Sequence, residues 1–288
     1  MESPSKIREC LESIGAVSGE NIKLLSSKTR DADVPVFVDV QSGVIFIEDF
    51  YVGLAEYSSE NYREPEPPWE DHVDTRRRLT EHGDLIFNKR IVDFGFGAGT
   101  FLTAAAEHSQ SAIGVELGAQ ARSRMGDKGI KCFADIRDVD REIDTVFGFH
   151  VVEHLSDPLG VLKTIREKLL RNSGTLVVEV PHARDILLSA FQSTGFQEHT
   201  LWSQHLILHT RDSLRRLLVH AGFSVQAIYG VQRYGLANHI GWLHQHKPGL
   251  HKELPYRVLN SATLHSEYEK SLLAVGSTDT IVALATAV

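Results

Sequence analysis

Cysteine is nearly absent from the chain: Cys10 and Cys132 are the only two among 288 residues. That excludes a disulfide framework and a cysteine-rich zinc site, and the expected setting is a reducing compartment, the cytoplasm. No apolar run approaches the roughly 20 residues that span a bilayer. Met1 to Cys10 is charged and polar, unlike a targeting segment, and no membrane partner is expected. Basic tracts are lacking as well. The formal charge is −8, whereas phosphate backbones call for a concentrated positive surface, so no nucleic-acid partner is expected. The densest basic cluster, Arg76-Arg77-Arg78, reads as a solvated helix face. Internal repeats and low-complexity tracts are missing.

What is present is enough apolar residue, 42% of the chain, to bury one large core with a small cap. Residues 1–30 read as a weak helix and a polar linker. Val34 to Phe50 reads as a hairpin turning at Gln41-Ser42-Gly43. Tyr57 to Trp69, with Pro65, Pro67 and Pro68, reads as an irregular connector. Val73 to Phe87 has helical spacing. From residue 90 onward short apolar runs alternate with helical stretches, the sequence form of βαβ units. The runs are Arg90–Phe94, Ala112–Glu116, Lys131–Ala134, Thr145–Phe149, Thr175–Val180, Phe223–Ile228 and Thr280–Ala285. Asp157-Pro158 starts one helix and Asn172-Ser173-Gly174 ends it; another runs from Arg211 to His220 and closes at Gly222.

The expected fold is therefore α/β: a Rossmann-like, seven-stranded, mostly parallel sheet with helices on both faces, an N-terminal hairpin cap and a C-terminal lid insertion. Residues 1–72 form the cap and linker, and 73–288 the main domain with a substrate or lid insertion at 230–279. Val34 to Phe50 either caps the site or builds a homodimer contact.

The chemistry-bearing motif is Asp93-Phe94-Gly95-Phe96-Gly97-Ala98-Gly99-Thr100, alternate glycines directly after a strand and before a helix. Glycine lets a backbone run close to a ligand at such a turn. A dinucleotide fold wants glycine where Thr100 stands, which disfavours a nicotinamide oxidoreductase. The segment resembles the first motif of class I S-adenosylmethionine-dependent methyltransferases, an acidic residue followed by G-x-G-x-G. Further elements follow in order. Gly114-Val115-Glu116-Leu117 resembles the strand end whose carboxylate grips the ribose hydroxyls. Cys132 to Ile136 resembles the adenine motif, Asp135 taking the amino group and the Ile136 backbone the ring. Asp144 to Pro158 resembles the fourth motif, with the backbone near Phe149 and His150 facing the methionine amino group, and 170–182 resembles the loop and strand after it. In register the resemblance covers about residues 85–228 and the final strand.

It implies S-adenosylmethionine as cofactor, held by Asp93, Gly95, Phe96, Gly97, Gly99, Thr100, Glu116, Leu117, Asp135, Ile136, Phe149 and His150. The sulfonium makes the methyl group electrophilic, so the protein must hold a nucleophile in line and remove its proton. Two constellations offer a base. His150-x-x-Glu153-His154 is similar to the E-x-x-E-H magnesium pattern of some O-methyltransferases, but His150 replaces a carboxylate and magnesium prefers oxygen, so no metal is expected; Glu153 and His154 stand as acid/base or structural pair. Trp202-Ser203-Gln204-His205-Leu206 resembles the sugar-facing segment of surface-polysaccharide and deoxysugar methyltransferases, with His205 as base and Gln204 where those carry glutamate. The expected reaction is O-methylation of a small hydrophilic acceptor, a nucleotide-linked sugar or polysaccharide precursor. Sugar C-methylation and a non-catalytic cofactor-binding module are the alternatives. Tyr229 to His251 carries aromatic and polar residues suited to such an acceptor; His239, His244, His246 and His251 read as solvated or substrate-facing, and Trp202 and Trp242 as core.

Overall fold

The computed structural model of the protein describes residues 6–48, 69–169 and 173–288, without the side chains of Trp69 and His251. The chain opens with α1 (Lys6–Ser13) and three short strands, β1 (Ile22–Ser26), β2 (Val36–Asp39) and β3 (Ile45–Phe46). Helix α2 (Trp69–Glu81) precedes β4 (Arg90–Phe94), α3 (Thr100–Ala106), β5 (Ser111–Val115), α4 (Ala119–Asp127), β6 (Lys131–Phe133) and β7 (Thr145–Phe149). Then come α5 (Pro158–Leu169), β8 (Thr175–Pro181), β9 (Ile207–Leu208), α6 (Arg211–His220), β10 (Phe223–Val231), α7 (Leu236–Gln245), α8 (Ala262–Val275) and β11 (Thr280–Ala287).

The seven-stranded sheet runs β10-β11-β8-β7-β4-β5-β6. Strand β4 pairs in parallel with β5 on one side and β7 on the other, and the parallel ladder extends to β6 and β8. Ile91, Val92, Val146, Phe147, Val177 and Val178 are at most 1% exposed, as strands covered on both faces require. The chain winds from β4 to β6 in one direction and resumes at β7 in the other. That reversal puts the carboxyl ends of β4 and β7 at the switch point, the place where open α/β sheets hold their ligands. Helix α5 begins as its sequence indicates: the Asp157 carboxylate accepts the Gly160 N–H at 2.9 Å ahead of Pro158. The Gly174 N–H reaches the Leu169 carbonyl at 3.1 Å, while Asn172 lies outside the described residues. Helix α6 closes on Gly222 at φ +90°.

A second sheet has the order β1-β2-β3-β9. The expected hairpin is present: β2 and β3 pair antiparallel through Phe37↔Phe46 and Val38↔Ile45. Strand β1, however, replaces the expected linker. Its burial does not alternate, so it leaves no period-two signature. The connector from Tyr57 falls outside the described residues up to Trp69, which begins α2. Among the described residues no helix is long and apolar enough to cross a membrane.

By compactness the chain forms two units. One comprises Met1–Tyr51, Val180–Leu217 and Ile228–Val282, the other Val52–Glu179, Leu218–Ala227 and Ala283–Val288. The first has an apolar core of Val34, Val36, Ile45, Ile47, Leu188 and Leu208. Within it, residues 236–275 are largely helical. Trp242 is 3% exposed and packs edge-on against Phe196, centroids 5.4 Å apart, a core tryptophan as expected. His244 and His246 face solvent. His239 does not: it is 2% exposed, and its Nδ1 lies 2.8 Å from the Tyr268 hydroxyl. The polar company of Tyr268 and Gln232 lets this histidine be interior. The solvated or substrate-facing reading is corrected there.

Candidate functional site

Strand β4 ends in the glycine loop. Gly95, Gly97 and Gly99 have φ of +73°, +59° and +80°, the left-handed region in which a side chain is strained. The loop is tied to its neighbours by Gly95 N–H to the Val115 carbonyl at 2.7 Å and Gly99 N–H to the Phe96 carbonyl at 2.9 Å. The Phe96 ring packs with Leu102, Ala121 and Met125, anchoring the loop from below. Thr100 opens α3, and its Oγ1 is buried without a hydrogen-bond partner among the described residues.

Glu116, just beyond β5, joins this loop to the next. Its carboxylate accepts the Gly97 N–H at 3.0 Å and the Gly118 N–H at 3.1 Å. Two such bonds do not exhaust a carboxylate's acceptor capacity. Leu117 follows it with its side chain exposed. Asp93 is buried at the end of β4; burial pushes its carboxyl up to about 7, Glu116 adding to the rise and Arg78 opposing it. Asp135 caps a short turn that starts at the buried Ile136. The Arg137 guanidinium, 2.5 Å away, holds the Asp135 carboxyl below the usual carboxylate range.

Beneath the end of β7 lies a charged network that the sequence reading did not find. Glu179, fully buried on β8, accepts from Arg77 Nη2 at 2.8 Å and Arg78 Nη2 at 2.5 Å, and its Oε1 lies 3.1 Å from His150 Nε2. The Arg78 guanidinium also covers the Phe149 ring at 4.2 Å. Phe149 meets Phe101 edge-on at 4.9 Å and stacks with His82, which burial keeps neutral by pushing it down to about 4. Only Arg76 of the arginine triplet is exposed, so the solvated-face reading is corrected: the partner that draws the other two inward lies about a hundred positions away. The one available signal was Glu179 itself, a charge inside the apolar run Leu176 to Val180. His150 has φ +51°, turning the chain sharply at the carboxyl end of β7. Its Nδ1 is 3.4 Å from Glu153, and His154 Nε2, on the short turn Val152–His154, is 3.9 Å from that same carboxylate.

A family model described as "Methyltransferase domain" matches residues 71–228, more than half of the chain. The chain belongs to the class I S-adenosylmethionine-dependent methyltransferases. No curated protein matches the methyltransferase significantly in sequence. Similar solved structures include geranyl diphosphate methyltransferase in complex with S-adenosylmethionine, at 15% identity and TM-score 0.49, covering 82% of this chain and 94% of that one. A second is an S-adenosylmethionine-dependent methyltransferase from Archaeoglobus fulgidus (18%, TM-score 0.49, 75% and 93%). A third is magnesium protoporphyrin IX methyltransferase from Synechocystis PCC 6803 (12%, TM-score 0.48, 79% and 91%).

The residues present fit S-adenosylmethionine, the cofactor of the methyltransferase. The loop backbone is bare of side chains at three alternate positions, an acidic residue closes its far end, and the Thr100 hydroxyl is a buried donor still in need of an acceptor. His205 belongs to the other unit. It is half-buried, its Nδ1 lies 3.0 Å from the Thr200 carbonyl, and its ring meets Trp202 edge-on at 5.3 Å. The segment carrying it is pinned by Asp31, whose carboxylate accepts the Ser203 N–H at 3.0 Å and hydroxyl at 2.6 Å.

Proposed function

We propose that the methyltransferase transfers a methyl group to a hydroxyl of a small hydrophilic acceptor, a nucleotide-linked sugar or a polysaccharide precursor. S-adenosylmethionine, when bound, supplies an electrophilic methyl group. In this reading Glu116 accepts from the ribose hydroxyls, the exposed Leu117 gives the adenine an apolar surface, and Asp135 with the Ile136 backbone meets its polar edge. The backbone of Asp93 to Thr100 and of Phe149 and His150 takes the methionine end. The charge of −8 supports a small-molecule acceptor over a nucleic acid.

The observation that carries the choice of base is the contact of His205 Nδ1 with the Thr200 carbonyl. A carbonyl only accepts, so Nδ1 holds the proton and Nε2 carries the lone pair, the form in which an imidazole removes a proton from a hydroxyl. His154, beside Glu153, is the second candidate. With labelled cofactor and a panel of nucleotide sugars, His205→Ala is expected to lower turnover by about 10²–10⁴-fold while leaving cofactor affinity near wild type. Equal loss of both would assign His205 to packing. Glu116→Ala is expected to weaken S-adenosylhomocysteine binding by about 1–3 kcal/mol, the scale of lost charge-assisted hydrogen bonds. Calorimetry showing unchanged affinity would refute the ribose assignment.

A further inference from the structure

The unit comprising Met1–Tyr51, Val180–Leu217 and Ile228–Val282 holds a cavity of about 580 Å³ that the cofactor motifs do not explain. Its walls are the loop after α1, the β2–β3 turn, the segment after β8, the first turn of α6 and the end of α8. A volume of this size suits a small organic ligand. The charges on the walls are uneven in a way that depends on how each is already engaged.

Two carboxylates line the cavity, and both are committed. Asp39 is 1% exposed and accepts the N–H groups of Ser18 at 2.8 Å, Gln41 at 2.9 Å and Ser42 at 2.8 Å. Burial would raise its carboxyl; these donors hold it below the usual range. Asp212 accepts from Arg216 Nε at 2.6 Å. The remaining charges are the guanidiniums of Arg184 and Arg211. Arg184 is exposed and donates to the Ser42 carbonyl at 3.4 Å, a long bond. Arg211 is the first residue of α6, and its Nε is buried with no hydrogen-bond partner among the described residues. Such a donor calls for an acceptor. His182, on the same wall, adds no charge of its own: burial pushes it down to about 4, helped by the fields of both Arg211 and Arg184. Arg184 and Arg211 line the same cavity as His182. The N-terminal turn of α6 faces the cavity too, with Thr210 and Arg211, and adds the positive end of its dipole.

We propose that this cavity is a binding site for a phosphate or diphosphate group carried by a small hydroxyl-bearing molecule, gripped by Arg184 and Arg211 at the start of α6. Guanidinium forks match phosphate oxygens in pairs. Asn21, Gln41 and Ser42 line the same cavity and add polar groups to its wall, the Asn21 and Gln41 side chains being bonded to each other at 2.9 Å. The proposal is independent of which hydroxyl the enzyme methylates.

Calorimetric titration of the full chain with inorganic pyrophosphate, with S-adenosylhomocysteine present at saturation to fill the cofactor site, is the test. Saturable single-site binding is expected. Arg184→Gln and Arg211→Gln should each weaken it by about ten-fold or more, and raising the salt should weaken it further. Both variants should bind S-adenosylhomocysteine as wild type does, which checks their folding; should Arg211→Gln fail to fold, the exposed Arg184 carries the comparison alone. Wild-type protein that binds S-adenosylhomocysteine but not pyrophosphate would overturn the proposal. So would pyrophosphate binding that Arg184→Gln leaves unchanged.

Discussion

Glu179→Ala is expected to cost about 3–5 kcal/mol of folding stability, the scale seen when one member of a buried ion pair is removed. Glu179 has no exposed surface, and Arg78 is only 9% exposed. Truncation therefore leaves the Arg78 guanidinium without its acceptor where water has little access, while Arg77 keeps Asp74 and Glu81. Denaturant unfolding measures the loss; a change below about 1 kcal/mol, the worth of an exposed pair, would mean the network is ornamental. Acid provides a second check. Burial alone would raise the Glu179 carboxyl, but Arg78, His150 and Arg77 hold it well below its ordinary value of 4.5. A depressed carboxylate contributes stability that is present above the unfolded value and lost as the pH falls through the folded one. The stability gap between wild type and Glu179→Gln should thus narrow as the pH drops below 4.5.

Gly95→Ala is expected to reduce S-adenosylmethionine affinity by about 100-fold or more, for two separable reasons that together reach the few kcal/mol this requires. The backbone at Gly95 has φ +73°, a conformation an L side chain occupies under strain. A Cβ there would also lie 2.6 Å from Val151 Cγ2 and 2.9 Å from Val151 Cβ. Valine is branched at that atom and cannot swing aside, so the loop must move. Adding Val151→Ala should relieve the clash and recover part of the affinity while the strain remains. Calorimetry on the single and double variants measures the two parts. Wild-type affinity in Gly95→Ala would remove the loop from the cofactor site.

The two residues differ in how visible they were before the structure. The glycine loop announces itself because its requirement is local: a strand, three alternate glycines and a helix, all within ten positions. Glu116 was legible for the same reason, as the last residue of an apolar run. The seven strands of the main sheet were legible as short apolar runs alternating with helical stretches, but their order in the sheet came only with the structure. Strands β1 and β9 were not legible, one lacking alternation and the other only two residues long. The pairing of Arg77 and Arg78 with Glu179 was invisible because the partners are 102 and 101 positions apart and meet only when β8 is in the sheet. In isolation two adjacent arginines on a helix look solvated. His239 misled in the same direction, since its partner Tyr268 lies 29 positions away. Residues whose role is set by neighbours in the chain can be read, whereas those set by the tertiary fold cannot.

The central claim is that the loop from Asp93 to Thr100, closed by Glu116, holds S-adenosylmethionine for methyl transfer. Calorimetric titration of the purified full chain with S-adenosylmethionine tests it most directly, with Glu116→Ala in parallel. Saturable binding at one site per chain, weakened in the variant, is the predicted result. A folded wild-type chain that takes up no S-adenosylmethionine would contradict the claim and give the glycine loop to some other ligand.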